Sequence, residues 1–251
     1  MIDIRGKKIL VAQPAPKTNS PYAELEAKYS LSFDFCPFFT VKPVSARDFR
    51  SQHVNILDYT AIVFTSRSVI DSFFHICEQS RVAVPEDMKY FCQNQQIALY
   101  LQKYIVYRKR KIFFGDGRPL SVIDAIGTKH KNEKFLIACT DSLRSDMAAA
   151  FDKAGFKYGS AVFMNTVVSD IKHLDLSLYS ALVCYSPCDV RSLLENYPEF
   201  KQGGMLLATF GVNTAKAAKD AGLSVQLEAP TPKYASITSA LADYIKEVNE
   251  G

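Results

Sequence analysis

The sequence predicts an α/β protein made of parallel sheets with helices on both faces, and three observations carry that reading. Strand and helix patterns alternate along all 251 residues. The stretch from Tyr179 to Leu194 reads as strand, tight turn and helix. Its apolar run Ala181 to Tyr185 is followed by Ser186 at an N-cap and by Pro187 at the first helical position, where a missing N–H costs nothing. Subtracting 120 from these numbers gives Tyr59, Ala61 to Phe64, Thr65 and Ser66, then Ile70, Phe73 and Phe74, with apolar and hydroxyl positions in register. That self-similarity predicts an internal duplication.

Length and composition narrow the class. A single core stops growing at roughly 250–300 residues, so the chain is long enough for two medium domains, which the duplication favours. A hydrophobic content of 48% with 22% charged residues excludes disordered and fibrous classes. No apolar run approaches the roughly 20 residues of a membrane span, and Met1 to Lys8 lacks a signal-peptide core, so a cytoplasmic protein is expected. The six cysteines Cys36, Cys77, Cys92, Cys139, Cys184 and Cys188 lie in or beside apolar segments and read as small buried hydrophobes. Cys184 and Cys188 are close together, but without a second pair or a nearby histidine they do not make a metal site. The net charge of +4 hints at an anionic partner.

In chain order, residues 7–12 form a buried-strand pattern that ends in the Pro14/Pro16 loop. Ser20-Pro21 starts a helix carrying Tyr22, Leu25 and Tyr29, and Leu31, Phe33 and Phe35 alternate as a strand running towards Phe38–Val41. Residues 44–57 are weakly helical. After the first strand-turn-helix come a strand at Tyr90–Cys92, a helix face of Ile97, Tyr100, Leu101 and Tyr104, and a fifth strand at Tyr104–Tyr107; Phe113 to Gly117 reads as loop. In the second half, Phe135–Ala138 matches Ile9–Ala12, a helix runs through Met147 and Phe151 to Gly155, and residues 158–168 form a long strand. Leu206–Phe210, a helix ending at Gly222, a strand at Leu223–Leu227 and a terminal helix with Leu241, Tyr244, Ile245 and Val248 complete the chain.

Ligands of parallel sheets sit at the carboxyl ends of strands. The polar exits at 65–68, 93–96, 140–142, 186–189 and 211–214 fall there. They supply hydroxyls and amides at helix N-termini, where free N–H groups and the dipole favour anions. Taken singly, Thr65, Ser68, Ser142 or Ser186 is an ordinary cap; five equivalent exits in two lobes point to a cleft for a polyanion. The four histidines are scattered, and neither G-x-G-x-x-G nor a Walker A run occurs, which removes support for redox cofactors and nucleotide hydrolysis. The basic run Lys103–Lys111 contains two tyrosines, yet one short segment in a nearly balanced chain makes a poor nucleic-acid groove and reads as a solvated strand end.

Together these motifs resemble the uroporphyrinogen-III synthase family. The carrying residues are Ile62-Val63-Phe64-Thr65-Ser66, Tyr185-Ser186-Pro187-Cys188, the run Ala208 to Ala217 with Gly222-Leu223, and Ala229-Pro230-Thr231-Pro232. The resemblance spans almost the whole chain and is thin over 95–165. It implies two α/β lobes joined by a two-stranded linker, with the chain leaving its first lobe, building the second and returning. Transferred here, residues 1–37 and 168–251 form one lobe and 41–164 the other, with 38–41 and 165–167 as linker strands. Two sequential halves would instead have been cut near residue 128.

The implied activity is cofactor-free cyclisation of hydroxymethylbilane, an octacarboxylate linear tetrapyrrole, with loss of water and inversion of the last pyrrole ring. The expected partner is this small molecule, with no nucleic acid and no membrane, for a monomeric protein. By the resemblance Thr214 keeps a catalytic role, while Thr65, Ser66, Ser68, Asn94, Gln96, Ser142, Met164, Ser186, Cys188, Gly211 and Asn213 fall at substrate-binding positions. The sequence departs from the family where a tyrosine often assists the departing hydroxyl: Met164 stands there and cannot donate a proton. Gln93 and Gln96 replace a glycine and a threonine of the first-lobe exit. Tyr185 or Tyr158 is the candidate replacement phenol, and a non-catalytic member binding a tetrapyrrole or another anion is the alternative.

Overall fold

The structure, a computed structural model, describes residues 7–17, 20–118 and 120–250, with side chains to residue 248. The expectations placed on Met1 to Gly6, the missing signal core and the start of the first lobe, lie outside the described residues. The elements in chain order are β1 (Lys8–Val11), α1 (Pro21–Tyr29), β2 (Ser32–Phe35), β3 (Phe39–Pro43), α2 (Ala46–Arg50), β4 (Ala61–Phe64) and α3 (Arg67–Gln79). Then come β5 (Lys89–Cys92), α4 (Gln95–Tyr100), β6 (Ile112–Phe114), α5 (Val122–Ile126), β7 (Lys134–Thr140), α6 (Arg144–Ala154) and β8 (Lys157–Val168). The chain closes with β9 (Ala181–Cys184), α7 (Pro187–Asn196), β10 (Leu206–Phe210), α8 (Val212–Asp220), β11 (Leu227–Ala229) and α9 (Ile237–Glu250).

The chain divides into two compact units, Met1–Thr40 with Val167–Gly251, and Val41–Thr166. The first holds a sheet of order β11-β10-β9-β1-β2 in which every neighbouring pair is parallel. On one face Ile9, Val11, Ala181 and Val183 pack with Tyr22 and Leu25 of α1 and Leu241 and Ile245 of α9. On the other, Leu10, Leu182 and Leu207 pack with Val190 and Leu193 of α7 and Ala218 of α8. The second unit holds the order β3-β8-β7-β4-β5-β6, parallel from β8 to β6. Its faces are covered by α3 and α4 on one side and by α5 and α6 on the other. Val44 N–H donates to the Phe163 carbonyl and Ser169 N–H to that of Phe38; rising numbers on one segment meet falling numbers on the other, so this pair is antiparallel.

The sequence explains these elements locally. A strand covered on both faces needs an unbroken apolar run, and all four residues of β4 and of β9 are buried. Helix α3 buries Val69, Ile70, Phe73, Ile76 and Cys77 at helical spacing. Phe73 sits edge-on to Phe64 at 5.3 Å and tilted to Phe163 at 5.4 Å, all three fully buried, each side chain stabilising by about 1.5–3 kcal/mol. The six cysteines are free thiols, and burial pushes those of Cys77 and Cys92 up to about 12. No helix among the described residues is long and apolar enough to cross a membrane.

Two strand expectations need correction. Tyr104 to Tyr107 is not a strand: Ile105 N–H donates to the Leu101 carbonyl, and Tyr104 stacks on Phe74 at 4.4 Å, which keeps the segment wound at the end of a helical turn. The edge strand is β6, inside the stretch read as loop, where Ile112 is buried and Phe113 stacks on Phe91 at 4.9 Å. The last strand lies at Leu227–Ala229, not Leu223–Leu227, because Leu223 N–H is used on the Ala218 carbonyl to close α8.

The end of β6 depends on Gly115. Its N–H donates to the Cys92 carbonyl at 2.9 Å, and a Cβ there would stand 2.3 Å from Ser121 Oγ and 2.7 Å from the Ser121 carbonyl carbon. Gly115→Ala is therefore expected to destabilise the protein by about 1–3 kcal/mol in urea unfolding. An unchanged midpoint would show that this backbone approach carries no strain.

Candidate active site

In each sheet two neighbouring strands send the chain to opposite sides and opposite faces: β9 and β1 in the first unit, β4 and β7 in the second. Such switch points open a crevice at the carboxyl ends of the strands. The expected exits line these edges.

In the second unit Phe64 pairs with Ala138 and with Cys92, so the exits after β4, β5 and β7 share one edge. Ser66 caps α3, accepting from Val69 N–H at 3.3 Å, and its hydroxyl lies 3.1 Å from that of Ser68, an exposed residue two positions further on. Thr65 Oγ1 is buried without a partner. Asn94 caps α4 through Ile97 N–H at 2.9 Å, and Gln96 is exposed on its first turn. Ser142 is not a cap; it sits in a 3-10 turn with its hydroxyl 3.0 Å from that of Thr140. Asp141, absent from the expected set, organises this exit: its Oδ1 accepts from Ser142 N–H, Thr166 N–H and Thr166 Oγ1 at 2.8, 2.9 and 2.7 Å.

In the first unit Thr209 pairs with Cys184, so the exits after β9 and β10 are adjacent, and the rings of Tyr185 and Phe210 lie 5.6 Å apart. Tyr185 is half-buried, and its hydroxyl lies 2.6 Å from that of Tyr22 on the first turn of α1. Burial holds the Tyr185 phenol above its usual range, so it stays protonated at neutral pH, while the hydrogen bond with Tyr22 works in the opposite direction. Gly211 enters α8 at φ +89, a conformation suited to glycine, and has no side chain to cap the helix. The N–H groups of Val212 and Asn213 are consequently left without a partner among the described residues.

Three expected contacts turn inward. Met164 is packed in the core of the second unit at 5% exposure, opposite Thr140 just past a register shift between Cys139 and Thr140. Cys188 and Thr214 are 7% and 2% exposed, each on the core-facing side of a first helical turn. At those helix starts Ser186 is half-buried and Asn213 exposed. Tyr158 lies at the amino end of β8, away from the carboxyl edge, and donates to Asp152 at 3.0 Å. Within the basic run, Lys103 is tied to Asp71 at 2.9 Å.

The turn bearing Tyr185 is held by a capping box. Asp189 Oδ2 accepts from Tyr185 N–H at 2.8 Å and Ser186 N–H at 2.9 Å, while Ser186 Oγ accepts from Cys188 N–H at 3.1 Å. Asp189 is fully buried, and desolvation pushes its carboxyl up to about 6 against the pull of the two N–H bonds. Between roughly pH 4 and 6 the folded chain keeps a proton that the unfolded chain has released, so stability falls as pH rises through that window, by on the order of 3 kcal/mol. Asp189→Asn is expected to remove this slope in unfolding measured from pH 4 to 7, and an unaltered slope would assign the effect elsewhere.

Comparison with known proteins agrees with this architecture. The family model described as Uroporphyrinogen-III synthase HemD matches residues 20–239. Comparison with the curated proteins returns no match. Among solved structures, a mutant uroporphyrinogen III synthase of Thermus thermophilus superposes with a TM-score of 0.58 at 12% identity, over 98% of this chain and 100% of that one. The uroporphyrinogen-III synthetase of Helicobacter pylori gives 0.57 at 13% identity, over 96% and 99%. The structural likeness speaks for the fold, and the family match covers most of the chain; the chain belongs to the uroporphyrinogen-III synthase family.

Proposed function

We propose that this chain cyclises hydroxymethylbilane to uroporphyrinogen III, with Tyr185 as the group that protonates the departing hydroxyl. The enzyme class follows from the family, a cyclising lyase of tetrapyrrole biosynthesis. The observation that carries the assignment of the acid is a protonated, half-buried phenol at the carboxyl end of β9, beside the uncapped start of α8. The substrate's carboxylates suit the unpartnered N–H groups of Val212 and Asn213 and the Ser186 hydroxyl on the edge that bears Tyr185. The carboxyl edge of the second unit by itself offers the same chemistry in Ser66, Ser68, Asn94, Gln96 and Ser142. With the substrate so held, the pyrrole nitrogen pushes its lone pair toward the hydroxymethyl carbon. The C–O bond breaks with its electron pair on oxygen, and the Tyr185 proton completes the water. The substituted carbon of the terminal ring bonds to the hydroxymethyl-derived carbon, giving a spiro intermediate; its older bond to the neighbouring methylene bridge then breaks, the electron pair returning to the terminal ring. The free α-carbon of that ring, now turned round, bonds to the released methylene carbon and loses its proton, which restores the phenol. Rate is gained mainly by positioning and by electrostatics aimed at the developing charge.

The proposal extends to a monomer in the cytoplasm. The large exposed apolar side chains, among them Val106, Leu178 and Val212, are distributed over both units, and free thiols suit a reducing compartment.

Incubation with hydroxymethylbilane and separation of the product isomers tests the reading: type III is expected above the spontaneous type I background, and type I alone overturns it. Tyr185→Phe is expected to lower kcat by about 100-fold, the lower end for a general acid. Thr214→Ala, acting only through the turn in which it is buried, is expected to cost less. If Tyr185→Phe retained full activity, the acid would have to be another group.

A further inference from the structure

We propose that Tyr22 is a positioning residue for the reaction: it donates its hydrogen to the Tyr185 oxygen and so directs the Tyr185 proton outward to substrate. The inference rests on the reading of Tyr185 as the acid. Only one hydrogen fits between two oxygens 2.6 Å apart, so one hydroxyl keeps a hydrogen for another acceptor. Tyr22 is 7% exposed, and its hydroxyl has no acceptor other than Tyr185 among the described residues. Were Tyr22 the recipient, the pair would orient its remaining hydrogen into a buried site without a partner. Half-buried Tyr185 can instead present its hydrogen at the strand exit.

Tyr22 is also held in place through both its backbone and its ring. Pro21 sets the first helical position of α1, Ser20 Oγ accepts the Tyr22 N–H at 3.3 Å, and the ring lies edge-on to Phe33 at 4.8 Å and Phe35 at 5.5 Å. A donor fixed in this way has a second effect. As Tyr185 gives up its proton, negative charge grows on the oxygen that already accepts from Tyr22, so the bond strengthens during the transfer. Burial and the bond to Tyr185 both keep the Tyr22 proton in place, which fits a residue that donates a hydrogen bond and never the proton itself.

The test is a double-mutant cycle with Tyr22→Phe, Tyr185→Phe and the pair, reading kcat, KM, isomer yield and thermal midpoint. Tyr22→Phe is expected to lower kcat about tenfold, the factor of one hydrogen bond to a developing charge, with KM unchanged. In the Tyr185→Phe background it should have no further effect on kcat, whereas any shift in thermal midpoint persists. Wild-type kcat in Tyr22→Phe, with Tyr185→Phe impaired, overturns this inference and leaves the acid in place. Full activity of Tyr185→Phe overturns the underlying reading instead. Equal kcat losses from Tyr22→Phe in both backgrounds would mark a structural role and also overturn it. Incorporation of 3-fluorotyrosine at position 22 keeps the ring and sharpens the donor; kcat should be kept or raised, and a loss as large as that of Tyr22→Phe counts against the pair.

Discussion

The first unit exists only because β1 pairs with β9. Ile9, Leu10 and Val11 lie opposite Ala181, Leu182 and Val183, and this register joins a segment from the start of the chain to one far along it. Without it β1 and β2 would have no sheet to join, and the layers around Leu10 and Val183 would lose their shared core. The second unit is built on the equivalent pair, β4 with β7, within one continuous stretch of chain. In space, β9-α7-β10-α8-β11 repeats β4-α3-β5-α4-β6, and β1-α1-β2 repeats β7-α6-β8. A duplication that is sequential in the chain is thus exchanged between units, and a division near residue 128 would fall inside the second one.

What was legible in the sequence follows from how local the cause is. Continuous apolar runs marked β4 and β9, and Ser-Pro pairs marked the starts of α1 and α7, because caps and burial act over a few residues. β6 escaped because three strand residues follow a charged run and gain their order from Phe91 on the neighbouring strand. The polar exits could be read from strand ends. The partners that fix them could not: Tyr22 and Tyr185 are 163 positions apart, and Asp141 and Thr166 are 25 apart. Whether an exit residue faces solvent depends on its place in the first helical turn and on register shifts, which is why Met164, Cys188 and Thr214 turn inward.

The two copies of the strand-turn-helix have also diverged chemically. At the position of Asp189 the second unit carries Val69, since 189 − 120 = 69. One turn is clamped by a buried carboxyl on two N–H groups, while the other leaves Ser66 bonded to Ser68 and to one N–H. The clamped copy bears the phenol proposed as acid, and the open copy offers hydroxyls suited to holding carboxylates.

The long-range pairing of β1 also sets an order of events during synthesis. Residues 39–168 emerge as a continuous stretch containing every strand of the second sheet, which can close first. The segment carrying β1 and β2, made earlier, must wait for Ala181–Cys184, a delay on the order of ten seconds at typical elongation rates. During that time its apolar strand edge is unpaired on the growing chain, so the sheet begun before residue 41 is completed after the one begun later, and its early strands are the ones most in need of chaperone cover.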